Sequence, residues 1–235
     1  MLKIFILIIA LVYLNAAAPS SYDWRDYNRV PEFRGTASST QWSLILNSHL
    51  ESLYSLKGKS ASLSEQMLLD CCINESGFST KLMQVSFQWL IKNGVMLDSD
   101  YPYKGLKSTC KFDINKSVMK IRGYKILGNV GGSCADESEM KEFLYQTGPV
   151  VVGFNGKAIN NYNGGIIDLT EAQCPKSVIN SVGLLIGYGS SNGIDYWIVK
   201  TIYGKSWGEN GCFRIRRGRG TCGINCLVLT ALVSF

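Results

Sequence analysis

Histidine is the scarcest reactive residue in this 235-residue chain: there is one, His49. With no second imidazole and no pair of matched Cys-x-x-Cys motifs, the eight cysteines do not form a zinc site of the usual kind. No metal and no cofactor is expected. There is no phosphate-binding glycine loop, no aromatic stacking platform and no recognised nucleic-acid motif, so nucleic acid is not an expected partner. Internal repeats, low-complexity tracts and long linkers are also absent. Beyond the first residues, charged side chains interrupt every apolar run. No later segment can cross a bilayer core of ~30 Å.

What is present begins with the N-terminus. Lys3 precedes an apolar run over residues 4–14, and Asn15-Ala16-Ala17-Ala18 follows. A basic start, a short apolar stretch and an Ala-x-Ala site predict a secretory signal peptide over residues 1–18, too short for a membrane anchor. The mature domain is expected over 19–235, in the secreted space or the endolysosomal lumen. The eight cysteines suit such an oxidising compartment. Asn74-Glu75-Ser76 and Asn115-Lys116-Ser117 are glycosylation sequons. The net charge of +6 partly reflects Arg214, Arg216, Arg217 and Arg219. Phe213 and Ile215 alternate with the first of these, which reads as the solvent face of a strand.

Apolar residues Trp42, Ile45, Leu46, Leu50 and Leu53 recur at helical spacing, predicting a helix over 42–56 that Gly58 can end. Ser64 can cap a helix over 65–71. A third helix is expected over 82–92, and a fourth, capped by Asp136, over 137–146. After Pro149 the pattern changes to strands at 150–152, 182–188, 196–201, 212–217 and 227–235, with turns at Asn192-Gly193 and Asn210-Gly211. Helices followed by strands predict an α+β class, a helical lobe over about 22–125 and an antiparallel sheet or barrel over about 126–235, with crossing of the termini between the lobes left open.

Six segments, in order, carry a resemblance to papain-like cysteine peptidases, specifically the L-like cathepsins with their insect and viral members. They are Tyr22-Asp23-Trp24-Arg25, Leu63-Ser64-Glu65-Gln66 running on to Asp70-Cys71, Asp100-Tyr101-Pro102-Tyr103, Thr147-Gly148-Pro149-Val150, Gly187-Tyr188-Gly189, and Ser206-Trp207-Gly208-Glu209-Asn210-Gly211. The resemblance implies a two-lobe fold with a cleft. It also implies where a nucleophile, a base and an orienting amide belong.

At those positions the chain departs from the family. The nucleophile motif Cys-Gly-[Ser/Ala]-Cys-[Trp/Tyr] reads Ser38-Ser39-Thr40-Gln41-Trp42 here, which puts Gln41 in the nucleophile's place at a helix N-terminus. A thiolate there would gain from the helix dipole, whereas an amide has no ionisable nucleophile. Counting back from Gly189 puts Ser181 at the base, and a hydroxyl is a poor general base at neutral pH. Thr201 replaces the asparagine, Tyr203 replaces the tryptophan that would shield it, and Arg34 replaces the oxyanion glutamine. His49 lies eight residues after Gln41, about 12 Å along the helix, and is expected at the core margin. Family glycines that let a peptide backbone approach become Gly77-Phe78-Ser79-Thr80-Lys81.

The resemblance further implies disulfides Cys71–Cys110 and Cys174–Cys222. The family's third bridge would join the positions of Ser38 and Phe78. For the extra cysteines, neighbouring strands would suit Cys212–Cys226, leaving Cys72 and Cys134 paired with each other or free. The family's long pro-segment is expected to be missing, because only Pro19, Ser20 and Ser21 separate the leader from Tyr22. The expectation is therefore a monomeric pseudopeptidase, binding a protein partner such as a peptidase inhibitor, or a peptide, through the old cleft. A residual or novel hydrolase and a decayed gene product are the alternatives.

Overall fold

The computed structural model describes residues 17–32, 41–72, 80–128 and 132–233. The leader segment 1–16, Arg34, Ser38, Asn74 and Phe78 lie outside these residues.

Local sequence accounts for the helices. The first, α1 (Gln41–Leu56), buries Trp42, Ile45, Leu46, Leu50 and Leu53. Ser64 accepts a hydrogen bond from Met67 N at 3.0 Å and so caps α2 (Glu65–Cys71). The third helix, α3 (Thr80–Lys92), begins two residues before its expected start. Two short strands follow it, β2 (Val95–Met96) and β3 (Ser117–Met119), which pair with each other. Asp136 accepts from Ser138 N and Glu139 N to cap α4 (Glu137–Thr147).

Among the described residues, the remaining strands form one eight-stranded sheet. Its path runs β4 (Ile121–Gly128), β10 (Val228–Val233), β5 (Val150–Phe154), β7 (Ser181–Ser191), β8 (Ile194–Lys200), β9 (Cys212–Arg216) and β6 (Ile166–Ile167). The remaining strand, β1 (Tyr22–Asp23), pairs with the far end of β7, Tyr22 opposite Tyr188. All pairings are antiparallel except β6 with β9. Tyr22–Asp23 joins the sheet, and β4 begins before residue 126.

The sheet is buried on both faces, which is why its strands read as continuous apolar runs. Val151, Leu184, Ile186, Ile198 and Leu229 face the core built on α1, α2 and α3. Their neighbours Val150, Val152, Leu185, Trp197, Val199 and Val228 face a second core, which includes Met140 and Leu144 of α4 and Trp24. The period-2 alternation of strand side chains divides one set of residues between two cores. Phe213 and Ile215 are fully buried in a stretch that also holds Arg214, Arg216 and Arg217. Those arginines are engaged in ion pairs, Arg214 with Glu209, Arg216 with Asp168 and Arg217 with Asp195.

Three disulfides are present: Cys71–Cys110, Cys174–Cys222 and Cys134–Cys226. The expected Cys212–Cys226 pair is incorrect. Cys226 precedes β10, which lies beside β4 and β5, whereas Cys212 opens β9 at the other side of the sheet. Sequence order placed the two strands next to each other, but β5, β7 and β8 intervene. Cys134 takes Cys226, and Cys72 and Cys212 are buried thiols.

Candidate functional site: the face between α1 and the start of β7

Gln41 is the first residue of α1, and its Nε2 donates to Val182 O at 3.1 Å. Val182 is the second residue of β7, directly after Ser181. The helix N-terminus and the sheet thus meet where the spacing predicted, across 141 residues of sequence. The contact is a side-chain amide bonded to a backbone carbonyl. Neither group is a nucleophile or a base.

Ser181 is positioned by its neighbours on β5 and in the preceding turn. It pairs with Phe154 in the ladder, and Asn180 Oδ1 accepts from Gly156 N at 2.7 Å. A Cβ at Gly156 would run into Ser181 Oγ, so the turn lies tight against the serine and a larger residue there would make that hydroxyl shift. Ser181 opens onto a depression of about 520 Å³ that Asn160, Asn180, Lys157, Tyr203 and Trp207 help to line. Among the described residues, no carboxylate and no imidazole belongs to that lining. A serine hydroxyl needs an adjacent base to act as a nucleophile.

Thr201 follows β8, whose Lys200 lies opposite Leu184 of β7. The threonine is buried, and its Oγ1 donates to Gly211 O at 3.0 Å and accepts from Tyr203 N at 3.3 Å. Its hydroxyl is committed to the turn before β9 and not to Ser181. Tyr203 is exposed, with its ring 5.1 Å from that of Trp207. Lys81 is exposed on α3. Asn115 is exposed in the turn that Asp113 caps, and its Nδ2 donates to Asp113 Oδ1 at 3.2 Å.

His49 is not at the core margin but wholly buried. Ala231 N donates to its Nε2 at 2.9 Å, which assigns the ring proton to Nδ1. Nδ1 then donates to Pro149 O at 3.0 Å. Burial pushes its pKa down to about 4, against the smaller opposing effect of the Pro149 carbonyl. The imidazole joins α1 to β10 and to the residue before β5, and both its nitrogens are used. Sequence reasoning missed this role because each partner is about a hundred residues or more away.

Asp70 was not singled out by the sequence, although it stands in one of the motifs. It accepts from Tyr101 Oη, Ser108 N, Ser108 Oγ and Gln66 Nε2 at 2.6–2.9 Å. Burial works against its ionisation, but these donors outweigh it and hold the carboxyl below its usual range. This cluster fastens the loop carrying Cys110 to α2 and is structural.

Comparison with known proteins agrees with this geometry. The family described as "Papain family cysteine protease" matches residues 18–232. A viral cathepsin of Heliothis zea nuclear polyhedrosis virus is 38% identical over 213 residues, covering 88% of this chain and 54% of that protein. Cathepsin F of Drosophila melanogaster is 32% identical, covering 92% of this chain and 36% of that protein. The chain thus spans about half the length of the first relative and about a third of the second. Among solved structures, digestive procathepsin L 3 of Tenebrio molitor larval midgut superimposes with a TM-score of 0.79 at 32% identity, covering 92% of this chain and 70% of that one. A family match over nearly all of the described residues, together with a helix N-terminus set against the first residues of β7, has one reading: the chain belongs to the papain family of cysteine proteases.

Proposed function

We propose that this papain-family chain is a catalytically inactive member that acts by binding, through the face where the family's active site is built. The observation that carries this reading is the Gln41–Val182 hydrogen bond. A family nucleophile would stand at the head of α1, free and ionisable. Here an amide stands there and spends its donor on fastening helix to sheet. Two further observations support the reading. The chain's one imidazole is sequestered between Pro149 O and Ala231 N. The hydroxyl of Thr201 is tied to Gly211 O, so it cannot orient a base at position 181. In cooperating hydrolytic triads, loss of one member costs on the order of a million-fold in rate. Arg34 at the oxyanion position is part of the same proposal.

The three disulfides fit an oxidising compartment, and export through the N-terminal leader is part of the proposal. The partner class is a protein that recognises papain-like clefts, such as a peptidase inhibitor, or an extended peptide. The test is an assay of the secreted chain with fluorogenic peptides and with epoxide and vinyl-sulfone probes. No turnover and no adduct at residue 41 are expected. Turnover that survives repurification and disappears on Ser181→Ala would refute the inactive reading and leave Ser181 as a nucleophile.

A further inference from the structure

A depression of about 460 Å³ lies between the C-terminal turns of α1 and α4 and strand β10. Trp24, Leu56, Phe143 and Leu232 give it apolar walls. Leu232 is 38% exposed, and Leu56 and Phe143 are half-buried, so apolar surface is left open to solvent here. Two charged side chains line it, Lys57 and Arg122, both exposed and both cationic. Among the described residues no carboxylate lines it, and neither cation forms an ion pair. Arg25, Arg214, Arg216 and Arg217 differ, since each has a carboxylate partner. The dipole of α1 would account for a lysine just past its C-terminus. Arg122 comes from β4, where no helix end calls for it. Lys125, on the same strand, adds a third cation 4.8 Å from the Phe143 ring.

We infer that this depression binds a free fatty carboxylate, with its chain along the apolar walls and its headgroup between Lys57 and Arg122. Burial of the chain supplies affinity, about fourfold for each methylene fully removed from water. The two cations supply the sign. A guanidinium meets a carboxylate through two parallel hydrogen bonds, and the ammonium adds a second positive charge. A neutral apolar ligand would leave both cations unused, and a cationic one would be repelled. A protein partner of ordinary affinity needs about 800 Å² of matching surface on this side. A concave hollow within the ~300–1,000 Å³ range of small-ligand sites suits one small molecule instead. The depression shares no lining residue with the one at Ser181, so the inference does not rest on the inactive reading of that face.

The experiment is calorimetric titration of the purified chain at pH 7 with octanoate, decanoate and dodecanoate, each below its micellar concentration. Dodecanoate should bind one to one, and affinity should rise along the series by up to about fourfold per methylene. Dodecylammonium, with the same chain and the opposite charge, should bind more weakly than dodecanoate. The double variant Lys57→Glu, Arg122→Glu should weaken dodecanoate by about tenfold, since two exposed ion pairs turn from attraction to repulsion, and should favour dodecylammonium. Leu232→Asp should remove dodecanoate binding. Should that variant fail to fold, Arg122→Gln serves in its place, with a loss of about two- to fivefold. No binding of dodecanoate would overturn the inference. So would equal affinity for the two amphiphiles, or binding that these substitutions leave unchanged. Sedimentation of a dimer that dodecanoate disperses would give the face to a second copy of the chain. Binding seen only after removal of Ser234 and Phe235 would give it to the chain's own end. Either of these two results also overturns the inference.

Discussion

The sharpest test of the fold is the buried imidazole of His49. The variant His49→Leu keeps an apolar side chain of similar bulk but leaves Ala231 N–H and Pro149 C=O facing it without a partner. Each unsatisfied buried group costs about 1–3 kcal/mol. Urea unfolding at pH 7 should therefore show a loss of about 2–5 kcal/mol. The pH dependence is the more specific measurement. The folded pKa is about 4, against an unfolded value of 6.5. The unfolded chain takes up the proton first as pH falls, so stability is complete above 6.5 and declines between 6.5 and 4. At 1.36 kcal/mol per pKa unit, a displacement of this size removes about 3 kcal/mol in total, and about 2 kcal/mol by pH 5. Among the described residues no charged side chain contributes to the shift, so moderate salt should leave it unchanged. His49→Leu should lack this slope although it is less stable at pH 7. The reasoning is refuted if the two proteins lose stability in parallel between pH 6.5 and 4.5, or if the native imidazole titrates near 6.5 by NMR.

Other outcomes follow from the same geometry. Gln41→Cys should give no peptidase activity, because residue 181 is still a serine, and Gln41→Ala should cost about 0.5–1.5 kcal/mol through the lost bond to Val182 O, read by denaturant midpoint. Non-reducing peptide mapping should recover Cys134–Cys226 with the other two bridges, while Cys72 and Cys212 react with an alkylating reagent only after unfolding. Burial raises the thiol pKa of Cys212 to about 11, which adds to this protection. Replacing Cys134 and Cys226 by serine should cost about 2–5 kcal/mol by thermal or urea unfolding. Asp70→Ala should destabilise by about 1–3 kcal/mol or more, since it leaves four neutral donors without their acceptor. Its folded pKa is depressed, so its contribution is complete above its ordinary value of 3.8 and is lost only as pH falls below it. That window lies beneath the one assigned to His49.

The sequence by itself determined the elements whose information is local. The apolar spacing from Trp42 to Leu53, the caps at Ser64 and Asp136, and the apolar strands after Pro149 all depend on residues within a turn or two of one another. The structure has them within a few residues of their expected bounds. Motif order carried the fold as well, and with it the meeting of Gln41 with the head of β7. What only the tertiary structure decided are pairings between distant residues. Cys226 takes Cys134 and not Cys212 because three strands separate β9 from β10, an order that crossovers set and no local pattern encodes. β4 went unread because Arg122, Lys125 and two glycines hide its alternation, and only β10 beside it makes it a strand. His49 looked like a marginal helix residue because its two partners, Pro149 just before β5 and Ala231 within β10, come from strands that helix periodicity cannot place. Hydrogen bonds and disulfides form between groups that folding brings together, and their partners are fixed by the packing of whole elements.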